Sequence, residues 1–149
     1  MKLLTIAASL AATAICAAPA FADHVRGTQH ADTLHGTPAA DRIAGLGGAD
    51  SIRSGAGSDH VYGGPGRDFI MDGGGSDAVF GGPGADSFNV RRGADTVVAG
   101  DGRDAILLYR DGSADRVRCG PGVDRVQYTG PLEKHDTFRG CEHVEPYSP

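Results

Sequence analysis

Aspartate recurs in this chain every nine residues, and no other feature limits the possible folds so strongly. Asp32, Asp41, Asp50, Asp59, Asp68, Asp77, Asp86, Asp95 and Asp104 form an unbroken series. An eleven-residue step leads to Asp115, and Asp124 follows at nine again. Two residues after each stands an apolar side chain: Leu34, Ile43, Ile52, Val61, Ile70, Val79, Phe88, Val97, Ile106, Val117 and Val126. Such a period marks stacked units, each too small to bury an apolar face alone. A three-residue segment such as Phe69-Ile70-Met71 reads as extended, with its middle residue inward because side chains alternate along a strand. The six residues before it turn the chain, and their glycines serve positions of positive φ or close backbone approach.

The hexapeptides Gly63-Gly64-Pro65-Gly66-Arg67-Asp68 and Gly81-Gly82-Pro83-Gly84-Ala85-Asp86 carry a resemblance. The pattern resembles the calcium-binding nonapeptide repeat of RTX (haemolysin-type) proteins, GGxGxDxUx with U large and apolar. Both hexapeptides match it at every fixed position, and the resemblance extends over residues 27–127. It implies an all-β fold, a parallel β-roll: a two-sided right-handed β-solenoid with 18 residues per coil and calcium ions in the turns.

Electrostatics leads to the same ion. Each coil buries two apolar side chains, which cannot offset the ordering of its backbone at roughly 1–2 kcal/mol per residue. Stacking sets the Asp of one repeat about 5 Å from the Asp two repeats on. Two such charges repel by about 3 kcal/mol at an effective dielectric near 20. A cation between them reverses the sign. Calcium accepts six to eight oxygens at about 2.3–2.6 Å, whereas zinc favours the His and Cys that the turns from Gly45 to Asp104 lack.

Pairing each repeat with the next but one sorts the turns onto two edges. On one, the turns starting at Gly45, Gly63, Gly81 and Ala99 keep the glycine pattern. Three sites are expected there: Asp50 with Asp68, Asp68 with Asp86, and Asp86 with Asp104, helped by carbonyls of Gly45, Gly47, Gly63, Gly66, Gly81 and Gly84. On the other edge the turns at Ser54 and Asp72 are competent and pair Asp59 with Asp77. Asp95 is a further candidate, although Arg91 and Arg92 in its turn could neutralise a carboxylate in place of a metal. The turns at Gly27 and Gly36 lack the second and third glycines, which weighs against calcium at Asp32 and Asp41. The expected total is about three to five calcium ions.

The ends of the chain read differently. Met1-Lys2, an apolar alanine-rich run to Ala18 and the small-x-small Ala20-Phe21-Ala22 suggest a cleavable signal peptide over residues 1–22, with the mature chain starting at Asp23 and secreted. No second apolar span follows, so no membrane span is expected in the mature chain. Residues 23–44 read as a capping coil of degenerate repeats, 45–107 as the calcium-binding repeats, and 108–149 as an irregular coil and cap. In an oxidising compartment Cys119 and Cys141 read as a disulfide fastening that cap.

Composition narrows the function classes. The net charge of −5 comes with well-mixed arginines, leaving no basic footprint for nucleic acid. The histidines are scattered, and no G-x-S-x-G, P-loop or HExxH motif is present, so no enzyme is expected. The reading is a secreted calcium-binding module with a structural or surface-interaction role and a cell-envelope or protein partner. The alternatives are a ligand- or ice-binding solenoid and an accessory protein of a secreted hydrolase. The outward rows Thr33, Ser51, Phe69, Ser87, Ala105 and Arg42, His60, Ala78, Thr96 are too mixed for an ice face. Phe69, Met71, Phe80, Val98 and Leu107 also point outward, where the C-terminal segment or a partner could cover them.

Overall fold

The computed structural model describes residues 23–148, so the expected signal peptide lies outside the described residues. Fourteen short strands follow in chain order: β1 (His24–Arg26), β2 (Thr33–His35), β3 (Arg42–Ala44), β4 (Ser51–Arg53), β5 (His60–Tyr62), β6 (Phe69–Met71), β7 (Ala78–Pro83), β8 (Ser87–Val90), β9 (Thr96–Asp101), β10 (Ala105–Leu108), β11 (Arg116–Arg118), β12 (Arg125–Tyr128), β13 (Thr137–Arg139) and β14 (His143–Pro146). Odd-numbered strands form one seven-stranded sheet and even-numbered strands the other. All pairings are parallel, so the chain crosses from one sheet to the other at every turn. This is the expected all-β, two-sided parallel solenoid.

The register follows from the nine-residue period. Ile43 pairs with Val61 and Val61 with Val79 in one sheet, while Ile52 pairs with Ile70 and Ile70 with Phe88 in the other. The middle residues of the strands meet between the sheets, and Ile43, Ile52, Val61 and Val97 are wholly buried. The core is therefore two side chains wide and one coil deep at each level. Parallel pairing satisfies the backbone, and the turns bond as the strands do: the Gly66 N–H donates to the Pro83 carbonyl at 2.9 Å and the Gly84 N–H to Asp101 at 2.8 Å.

The outward apolar residues differ from expectation. Phe69, Met71, Phe80, Val98 and Leu107 are half-buried, and each has strand neighbours beside it along the ladder, Arg53 beside Met71, Tyr62 beside Phe80 and Gln127 beside Leu107 among them. Tyr62 and Phe80 stack with ring centroids 5.0 Å apart, and the Arg42 guanidinium lies 5.0 Å from the Tyr62 ring centroid. Cross-strand contacts of this kind stabilise a sheet face without a covering layer.

The stretch from residue 108 onward is more regular than the irregular cap expected. It carries β11 to β14, which extend both sheets. The register slip is absorbed in longer turns: the carboxylate bond linking neighbouring coils spans 20 residues at Asp104–Asp124 and 21 at Asp115–Asp136, against 18 earlier. β13 and β14 are the last strands of their sheets, and Val144 in β14 is 38% exposed. Cys119 and Cys141 are joined in a disulfide that ties the turn after β11 to the turn after β13.

Candidate metal centres

Every repeat aspartate sits where a turn enters a strand, and its two oxygens do different things. From Asp41 onward, Oδ1 accepts the backbone N–H of the aspartate one coil earlier. Asp50 donates to Asp68, Asp68 to Asp86 at 2.8 Å, and Asp86 to Asp104 at 2.9 Å. On the other edge Asp59 donates to Asp77 and Asp77 to Asp95, both at 2.8 Å. The expected pairing of each repeat with the next but one is thus built into the backbone, with one carboxylate ladder on each edge.

Oδ2 turns into the bend. In Asp50, Asp59, Asp68, Asp77, Asp86, Asp95, Asp104 and Asp124 it is buried and has no hydrogen-bond partner. Burying a polar oxygen without a partner is costly, and more so when it is charged. Its surroundings are also oxygen-rich. A Cβ placed on Gly63 would lie 2.5 Å from Asp68 Oδ2 and 2.7 Å from the Gly81 carbonyl oxygen. A Cβ on Gly81 would likewise lie 2.6 Å from Asp86 Oδ2 and against the Ala99 carbonyl. Glycine keeps this space clear of side chains, and carboxylate with carbonyl oxygen is the donor set of a hard cation such as calcium.

Two aspartates solve the problem without an ion. Asp32 Oδ2 accepts the Thr28 N–H at 2.5 Å and its hydroxyl at 2.9 Å. Asp41 Oδ2 accepts the Thr37 N–H at 2.5 Å and its hydroxyl at 3.0 Å. The threonine after Gly27 and Gly36 supplies locally what the other turns lack. The Gly-Thr pair was a legible signal, more specific than the missing glycines.

The glycines named from the sequence take distinct places. Gly45, Gly63 and Gly81 open their turns beside the carboxylate, and all three are buried. Gly66 and Gly84 take the fourth position at φ +154° and +159°, which a side chain resists. Gly47 bonds back to the preceding coil, its N–H donating to the Thr28 carbonyl at 3.1 Å. Leu46 occupies the second position of that turn at φ 83°, a conformation filled by glycine in the turns at Gly63 and Gly81.

Burial pushes these carboxyl groups upward. It raises Asp86 to about 7, opposed by the N–H of Asp68 and reinforced by the charges of Asp68 and Asp104. Burial likewise raises Asp50, Asp77 and Asp95 to about 6, and the backbone N–H each accepts opposes the rise. The ladders are a set of carboxylates that the dry turns disfavour as anions.

The expected role of Arg91 and Arg92 is not what forms. The Arg91 guanidinium lies 5.4 Å from the Tyr109 ring centroid. Among the described residues the ion pairs are Arg110–Glu133 and Arg125–Glu145, so neither arginine of this turn neutralises a carboxylate. What reaches the neighbouring Asp72 is the Arg91 backbone N–H. Asp72 and Asp124 are the buried carboxylates with an unmatched Oδ2 that were absent from the expected ligands. Asp124 was legible, since Cys119-Gly120-Pro121-Gly122-Val123-Asp124 keeps the turn glycines, at φ +111° and +158°. Asp72 lies outside the nine-residue series and could not be found by that period.

A parallel two-sheet solenoid with paired carboxylates stacked along both edges defines a class, the β-roll. A family model described as the RTX calcium-binding nonapeptide repeat (4 copies) matches residues 26–61, 35–70 and 71–106, more than half of the chain. The chain belongs to the RTX calcium-binding nonapeptide repeat family. Neither a curated protein nor a solved structure was found to match it.

Proposed function

We propose that this is a secreted calcium-binding module whose coils are held in register by calcium, with a structural or surface-interaction role and no catalytic one. The observation that carries this is the row of buried aspartate Oδ2 atoms with no hydrogen-bond partner, interrupted where Thr28 and Thr37 supply donors. The ions are assigned to Asp50 with Asp68, Asp68 with Asp86, Asp86 with Asp104 and Asp59 with Asp77, about three to five in all. Gly45, Gly63 and Gly81 leave the room they require, and Asp95 belongs to the same set. The Asp104–Asp124 pair has the same unmatched oxygens and is the natural extension of the first edge.

Export through a signal peptide cleaved after Ala22 accords with the Cys119–Cys141 disulfide, a bond that persists in oxidising compartments. It also places folding where calcium is abundant, since extracellular modules bind at about 10⁻⁴–10⁻³ M. The outward rows, a mixture of Arg42, His60, Ala78 and Thr96 on one face, favour protein or cell-envelope contact over an ordered ice lattice.

The test is far-UV circular dichroism of the mature chain at neutral pH, in millimolar calcium and then with excess EGTA. Strand signal in calcium and its loss on chelation are expected. A spectrum that EGTA leaves unchanged overturns the reading of calcium as a structural element.

A further inference from the structure

The second edge holds one carboxylate more than its repeats require. Asp72 opens its turn, at the position that Gly45, Gly63 and Gly81 hold on the other edge. It is 1% exposed. Its carbonyl accepts the Ser54 hydroxyl, and its Oδ1 accepts the Arg91 N–H at 2.9 Å, so main chain and carboxyl group are both held. Its Oδ2 has no hydrogen-bond partner, and neither have the Oδ2 atoms of Asp77 and Asp95, which are 3% and 0% exposed. One carboxylate oxygen from each of Asp72, Asp77 and Asp95 lies within 4.8 Å of one from each of the others. No basic side chain pairs with them: the ion pairs of the described residues lie elsewhere, and Arg91 stacks on Tyr109. Three buried carboxyl groups so close need either protons or a counter-charge, and at neutral pH a cation can supply the latter.

We propose that Asp72, Asp77 and Asp95 form an all-carboxylate site for one hard divalent cation, calcium by its oxygen donors, and that Asp72 is its distinguishing ligand. The turn that ends in Asp95 is poorly made for an ion. Val90, Arg91 and Arg92 fill its first three positions, and Val90 is buried at 1% exposure. A side chain at the first position ordinarily crowds the repeat carboxylate, as a Cβ on Gly63 would crowd Asp68 Oδ2 at 2.5 Å. At Asp72 the side chain in that position is itself an oxygen donor. It compensates for the donors that the Val90 turn fails to present, and a third negative charge raises affinity for the cation.

This inference rests on the calcium reading above and predicts an effect opposite to the repeat pattern. Asp72→Gly restores the consensus glycine, yet calcium binding should become weaker. The experiment is calorimetric calcium titration of the mature chain and of Asp72→Gly and Asp72→Asn, with circular dichroism at saturating calcium confirming the coil. Asp72→Asn keeps the shape and the Oδ1 acceptor for Arg91 while removing the charge, so it decides the question if Asp72→Gly fails to fold. Loss of one ion, or weakening of one site by about tenfold or more with the others unchanged, is expected. Variants that bind as many ions as the parent, as tightly or tighter, overturn this inference and leave the calcium reading standing. A parent chain that binds no calcium overturns both.

Discussion

At the scale of single residues, the two oxygens of a repeat aspartate such as Asp68 differ: Oδ1 accepts a backbone N–H, and Oδ2 is left unmatched as the proposed calcium ligand. Oδ1 belongs to the fold, because it ties one coil to the next. Oδ2 belongs to the proposed site. Asp68 and Asp32 separate these roles. Asp68 stands between Asp50 and Asp86 and serves the pair on either side, with its Oδ2 unmatched. Asp32 has its Oδ2 filled by Thr28. Asp68→Asn should therefore shift the midpoint of calcium-induced folding by about tenfold or more in concentration. Asp32→Asn should leave that midpoint nearly unchanged while lowering stability by about 1.5–3 kcal/mol, the worth of a hydrogen bond to a charged group. Calcium titrations followed by circular dichroism, with urea melts at saturating calcium, check both. Equal calcium midpoints for the two variants would refute the division.

At the scale of elements, the strands are too short to persist alone, and each coil relies on its neighbours. The C-terminal coils have the least help. Their turns are longer, β13 and β14 close the stack, and Val123, Leu132 and Tyr147 are among the exposed large apolar residues. The Cys119–Cys141 bridge acts here, where Cys119 is buried at a turn position that glycine holds elsewhere. Replacing both cysteines by serine should lower stability by about 3 kcal/mol in the loop-entropy picture. Hydrogen exchange should quicken first in residues 137–146, and the ions assigned to Asp50 through Asp104 should stay bound. Faster exchange appearing first in β3 to β6 instead would show that the bridge does not act locally.

At the scale of the whole molecule, the chain is a one-dimensional stack whose cohesion depends on the protonation of its edges. The raised carboxyls fix the sign of the pH dependence. Asp50, Asp77 and Asp95 at about 6 and Asp86 at about 7 lie above the ordinary unfolded value of about 3.9. The folded, ion-free chain thus holds protons that the unfolded chain releases. That contribution is complete below about pH 4 and is lost as pH rises through 6 to 7. In calcium-stripped buffer, thermal melts should show a more stable chain at pH 5 than at pH 7.5. At saturating calcium the order should reverse, because the ion needs the ionised form. A calcium-stripped chain more stable at pH 7.5 would contradict the burial of these groups.

The nine-residue period by itself determined the architecture. With the middle residue of each segment apolar and glycines between, the parallel register and the two edges followed, since stacking each repeat on the next but one buries Leu34 through Val126 in two files, one per sheet. It also determined which aspartates face one another. Tertiary structure decided what each carboxylate meets. Threonine donors at Asp32 and Asp41, the turn of Arg91 toward Tyr109, and the approach of Asp72 to Asp77 and Asp95 depend on contacts between coils or across a turn. A one-dimensional period describes what recurs, and these residues matter because they do not. The C-terminal coils were obscured for the same reason: strand pairing tolerates a turn of two or three extra residues, while a strict period does not.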